Sequence, residues 1–103
     1  MGRDRFPIGS CVRVHPSVPY TDCFPFYLSL LGCFSFTDRY VSEDYDFLHL
    51  VKFRVVSEIY QEYETPLRAR VINLVVHEDP QIPGATLVAT PVLTIFCDFL
   101  IPA

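Results

Sequence analysis

Val51-Lys52-Phe53-Arg54-Val55-Val56-Ser57-Glu58-Ile59 is followed by the polar stretch Tyr60-Gln61-Glu62-Tyr63-Glu64-Thr65-Pro66, and then by Leu67-Arg68-Ala69-Arg70-Val71-Ile72-Asn73-Leu74-Val75. In the first arm Val51, Phe53, Val55 and Ile59 fall on one side at a spacing of two, and Lys52, Arg54 and Glu58 fall on the other. That is the side-chain period of a strand with one buried face. In the second arm Leu67, Ala69, Val71 and Val75 are positioned to meet the apolar side of the first. With a proline-bearing turn between them, the two arms predict a β-hairpin.

Helix competes over part of the first arm, because Phe47, Val51, Val55 and Ile59 also recur every four residues. Short apolar windows satisfy both periods. The β-branched Val51, Val55, Val56 and Ile59 favour strand, and a short helix is admitted only within 46–59.

Outward from the hairpin, Ser10 to His15 reads as a short strand with Val12 and Val14 on one side and Cys11, Arg13 and His15 on the other. Pro16 to Asp22 reads as a loop, and so does the acidic segment Ser42 to Asp46. The aromatic run Phe24 to Phe36 alternates in two registers, Phe26-Leu28-Leu30 and Phe34-Phe36, with Gly32 at the change of phase. A strand with a bulge or bend at Gly32 is expected there. Glu78 to Gly84, with two prolines and a glycine, is a connection. From Thr86 to Ile101 the odd positions are apolar, and Pro91 divides the stretch into two strands or sets it on an edge.

The chain has 103 residues and shows neither repeat nor linker, so one β-rich domain spanning residues 1–103 is expected. At this length folding hides roughly two-thirds of the surface of the unfolded chain. Half the residues are apolar, which excludes intrinsic disorder. Roughly five to six short strands with few helix signals predict an all-β barrel or sandwich, with OB-like and SH3-like barrels as candidate topologies. The apolar C-terminal stretch Leu87 to Ile101 is interrupted by Thr90, Pro91, Thr94 and Asp98 and is shorter than a membrane helix, so strand is expected and no membrane span. Met1 to Phe6 lacks the apolar core of a secretory signal. An intracellular location, cytoplasmic, nuclear or inside a virus particle, follows as the expectation.

The formal charge of −4 gives no general attraction for nucleic acid. Locally, Lys52, Arg54, Arg68 and Arg70 would share the outer face of the hairpin, with Tyr60 and Tyr63 near its turn as stacking surfaces. The same residues suit an acidic protein partner, or a cross-strand pairing of Glu58 with Arg68 or Arg70. Val92, Phe96 and Leu100 form an apolar phase on the last strands, expected to be covered by another copy.

Cys11, His15, Cys23 and Cys33 carry donors that suit tetrahedral zinc. Their C-x3-H-x7-C-x9-C spacing lacks the close cysteine pairs of zinc knuckles, so ordinary buried thiols and a surface histidine, without metal or cofactor, are expected. His15, His49 and His77 beside Glu78 and Asp79 offer acid–base groups, and Ser10, Ser57 and Cys97 offer nucleophiles. No phosphate loop, nucleophile elbow or metal motif ties them together. The expected function is a non-enzymatic interaction or assembly module that binds a protein partner or itself, of the kind a virus or phage encodes as a structural or accessory protein. A single-strand nucleic-acid binder of OB-like design is the alternative. A carrier of small apolar ligands or lipid, suggested by the Phe and Leu of residues 24–36, is the second.

Overall fold

The computed structural model describes residues 6–37, 47–61 and 70–103. The two arms of the expected hairpin pair antiparallel; Tyr60 and Gln61, read as turn, belong to a strand, and residues 62–66 of the turn lie outside the described residues. Strand β1 is Cys11–Val14, and after a 3-10 turn over Tyr20–Cys23 helix α1 spans Phe24–Leu31. Then come β2 (Phe34–Phe36), the single helical turn α2 (Phe47–Leu50), β3 (Phe53–Val55) and β4 (Tyr60–Gln61). They are followed by β5 (Arg70–Val76), β6 (Ala85–Leu87), β7 (Leu93–Phe96), a 3-10 turn at Cys97–Phe99 and β8 (Leu100–Pro102). The short helix falls inside the 46–59 window where the two periods competed.

Six strands form one antiparallel sheet in which β5 is central: β3 and β4 lie along one side of it and β7 along the other, and β3 continues to β1 and then β8. Strands β2 and β6 make a separate two-stranded ladder. Because every neighbour is antiparallel, β7 and β8 run in the same direction at opposite ends of the path, yet only the three residues of a 3-10 turn join them. The sheet therefore curls. No ladder pairs β7 with β8, and the expected barrel is not formed; the fold is an open strand-rich sheet with one short helix packed on it.

Val12, Val14, Val51, Phe53 and Val55 are fully buried, as their alternation predicts. The second arm inverts the expected phase, although Val71, on the outer parity, is buried as well. Ile72, Leu74 and Val76 enter the core, while Val75 stands opposite the exposed Arg54. Val71-Ile72-Asn73-Leu74-Val75-Val76 is apolar on both parities, so period alone is silent there, and the polar Asn73 marks the outer side.

Phe24–Leu31 is helix rather than strand. Pro25 sits in the first turn, where its missing N–H is no loss. Cys23, Phe26, Tyr27 and Leu30 are buried at helical spacing, whereas Leu28, which a strand would place beside Leu30, is exposed. The phase change at Gly32 is the end of this helix: Gly32 N–H closes on Leu28 O, and Cys33 N–H on Leu30 O. Phe26 packs on Phe53 with ring centroids 5.5 Å apart, which anchors the helix to the inner face of the sheet. Phe34 stands edge-on to Phe47 at 4.8 Å. Pro91 separates β6 from β7, and β7 and β8 lie within the stretch read as strand. No helix among the described residues is long and apolar enough to cross a membrane.

Candidate interaction surface

Backbone pairing sets the outer face of the sheet. Between Val55↔Leu74 and Tyr60↔Val71, residues 56–59 face only residues 72 and 73, so the first arm bulges. Val56 N donates to Asn73 O. Ser57 Oγ then takes the place of the next ladder acceptor by receiving Asn73 N–H at 3.0 Å. The Asn73 side-chain oxygen accepts the hydroxyls of Tyr60 at 3.0 Å and Thr94 at 2.8 Å. This network fixes Tyr60 across the outer face, in register with Val71 and Phe96.

The predicted basic surface divides. Lys52 and Arg54 are exposed on the outer face, but Arg70 has the parity of Ile72 and belongs to the inner face, where it emerges at the rim. Its grouping with Arg54 rested on the inverted phase of the second arm. Arg70 and Glu58 line an open cleft of about 730 Å³ beside Phe6. Arg68 and Tyr63 lie outside the described residues, as do Leu67, Ala69 and the acidic segment Ser42 to Asp46. Arg13, exposed on β1, joins the outer face instead. The register Cys11↔Arg54 and Val12↔Phe53, carried one residue further, puts Arg13 opposite Lys52. Glu78 and Asp79 share a cleft with Lys52 and reduce the positive field at that end.

The apolar surface is larger than the predicted one. Tyr20, Phe24 and Leu28 recur every four residues along the outside of the 3-10 turn and α1, with Phe24 45% and Leu28 52% exposed. No charged residue occurs between Cys23 and Thr37. Val92 is 61% and Phe96 39% exposed, but Leu100 is only 2% exposed. Leu100 is thus removed from the predicted contact: pairing of β8 with β1 directs it into the core beside Val14. The 3-10 turn shifts the alternation between β7 and β8, which an unbroken period cannot anticipate.

The two ends of the sheet differ in their backbone groups. Ala103 N donates to Cys11 O and His15 N to Phe99 O, so Ile101 faces β1 and the backbone groups of Leu100 and Pro102 face away. Leu100 N–H returns to Cys97 O, and Pro102 has no N–H. The outer edge of β8 therefore offers no donor. At β7 the situation is reversed. Val56 N–H to Asn73 O and His77 N–H to Lys52 O place the odd residues of β5 toward β3. Ile72 and Leu74 then bond Ile95 and Leu93, and the N–H and C=O of Thr94 and the N–H of Phe96 face outward. A cleft of about 220 Å³ opens along this edge, between Thr94 and Phe96 on one side and Cys23, Pro25 and Phe26 on the other.

The remaining candidates do not assemble. Cys11, His15, Cys23 and Cys33 form no common centre, and no group of three metal-ligating side chains exists among the described residues. All four cysteines are free thiols. Burial pushes the Cys23, Cys33 and Cys97 thiols up, with Asp22 adding to the effect at Cys23 and Asp98 at Cys97. His15 Nδ1 engages the Ser17 hydroxyl, and His49 Nε2 bonds Val18 O at 2.8 Å across the loop. Ser57 is committed to the bulge and Ser10 Oγ to Pro7 O. The chain matches no family model, and no curated protein or solved structure shows a significant match to it.

Proposed function

We propose that this protein is a non-enzymatic assembly module that associates with copies of itself through apolar surface on α1 and β7. The observation that carries this reading is the exposure of Phe24 and Leu28 on α1 and of Phe96 on β7, with Val92 just before it, on two elements that pack together, while no polar side chain is buried among the described residues. Large exposed apolar patches mark surfaces that another molecule covers. Sedimentation velocity over a concentration series tests it. The wild type is expected to self-associate and the Phe24→Asp, Leu28→Glu double variant to sediment as a monomer. A wild type that remains monomeric throughout overturns the reading.

A second reading, binding of single-stranded nucleic acid, is favoured by Arg13, Lys52 and Arg54 standing together on the outer face with Tyr60 further along it. Basic side chains that follow a backbone beside aromatic rings suit an extended oligonucleotide. Arg13→Ala and Arg54→Ala are each expected to weaken oligonucleotide binding and to lower its salt dependence by about one counterion. No retention at low salt removes this reading.

A further inference from the structure

We propose that β7 pairs edge to edge with β7 of a second copy, antiparallel and centred on Thr94, to give one continuous sheet. This rests on the assembly reading above and names its contact. The argument begins with unpaired backbone groups. Among the described residues the outer edge of β7 presents Thr94 N–H and C=O and Phe96 N–H without a ladder partner. The edge of β8 has lost its donors to Pro102 and to the 3-10 turn. Proteins blunt exposed edges that must stay single with prolines, charges or bulges. β8 carries such a device, whereas β7, Leu93 to Phe96, has no charge, proline or glycine, and Pro91 lies two residues before it.

Self-complementarity selects the occupant. A two-fold contact requires the same strand on both sides, and a pair of residues that exchange both backbone bonds can sit on the axis. Thr94 is the residue of β7 whose N–H and C=O both face the edge. With Thr94 opposite Thr94, the exposed Val92 of one copy meets the exposed Phe96 of the other on the outer face, twice. Leu93 meets Ile95 on the inner face, which extends the apolar layer. Thr–Thr and aromatic–β-branched pairs are favourable cross-strand neighbours. In this register each Thr94 N–H donates to the other Thr94 C=O, and each Phe96 N–H to the other Val92 C=O. Cys23, Pro25 and Phe26 face Thr94 and Phe96 across a cleft of about 220 Å³, so the second strand must pass beside this end of α1.

The test uses Thr94→Cys in a Cys11→Ser background, which removes the least buried native thiol. Residues paired across the axis would have Cα atoms about 5.5 Å apart, within disulfide range. Oxidised glutathione is expected to give a dimer whose peptide map contains the 94–94 disulfide, whereas Thr37→Cys, exposed elsewhere, gives none. In sedimentation, Val92→Lys is expected to weaken dimerisation roughly tenfold or more. Thr94→Pro, which deletes the edge donor, should do the same, and Thr94→Ala, which keeps it, should not. Self-association of the wild type, together with no 94–94 disulfide in the Thr94→Cys variant and no response to Val92→Lys, overturns edge pairing and leaves the assembly reading standing. A wild type that never associates overturns both.

Discussion

Asn73 shows how much one residue can organise. Its backbone N–H is received by Ser57 Oγ, and its side-chain oxygen takes the Tyr60 and Thr94 hydroxyls, so three strands are tied at one position. Ser57→Ala leaves the Asn73 N–H without its protein acceptor at the bulge. The expected loss is about 1 kcal/mol, read from the urea midpoint at unchanged slope. The thiols give a second expectation at this scale. The folded state holds Cys23, Cys33 and Cys97 protonated by burying them, while in the unfolded chain they ionise near the ordinary value of about 8.5. Their contribution to stability is complete below that pH and falls as pH rises above it, because the folded state then binds more protons than the unfolded one. Urea midpoints measured from neutral to alkaline pH should decline on the alkaline side, and a midpoint that stays flat there would contradict this origin.

Helix α1 is the element whose identity depends most on which residues are buried together. A strand would place Leu28 and Leu30 on one face, whereas the helix exposes the first and buries the second completely. Leu30→Ala is expected to cost ~2–5 kcal/mol through a core cavity. Leu28→Glu should change the unfolding midpoint little while reducing association, and equal destabilisation by both would argue for a shared face. The strands β7 and β8 belong to the same scale. The 3-10 turn between them reverses the alternation, and so Phe96 and Leu100, four residues apart in a uniform pattern, end on opposite sides of the molecular surface.

For the whole molecule, an open curled sheet leaves β4, β7 and β8 each with one ladder partner, and the chain treats the edges of β7 and β8 differently. Proline and a turn remove the donors of β8, while β7 keeps its own and borders exposed apolar side chains on α1. That asymmetry makes association at one end, with growth stopped at a closed pair, the arrangement expected of the assembled protein. Native mass spectrometry from low salt should show a metal-free even-numbered species, and a monomer carrying an oligonucleotide would instead promote the basic outer face.

The alternations at Val12-Val14 and Val51-Phe53-Val55, the break at Pro91 and the hairpin were legible in the sequence because one parity in each is polar or the backbone is chemically interrupted. The inner phase of β5 was not, since Val71 to Val76 is apolar on both parities and only pairing with β3 selects Ile72, Leu74 and Val76. The run Phe24 to Phe36 has too few polar residues to separate its apparent alternation from a helical period, so packing of Phe26 on Phe53 decided helix over strand. The candidate surface divides in the same way. Exposure of Lys52 and Arg54 followed from local alternation, but the company of Arg13, the separation of Arg70, the burial of Leu100 and the open edge at Thr94 are consequences of register. A residue's own face is a local property of the chain, whereas its neighbours across a sheet are set by hydrogen bonds between segments distant in sequence, and only the tertiary structure decides those.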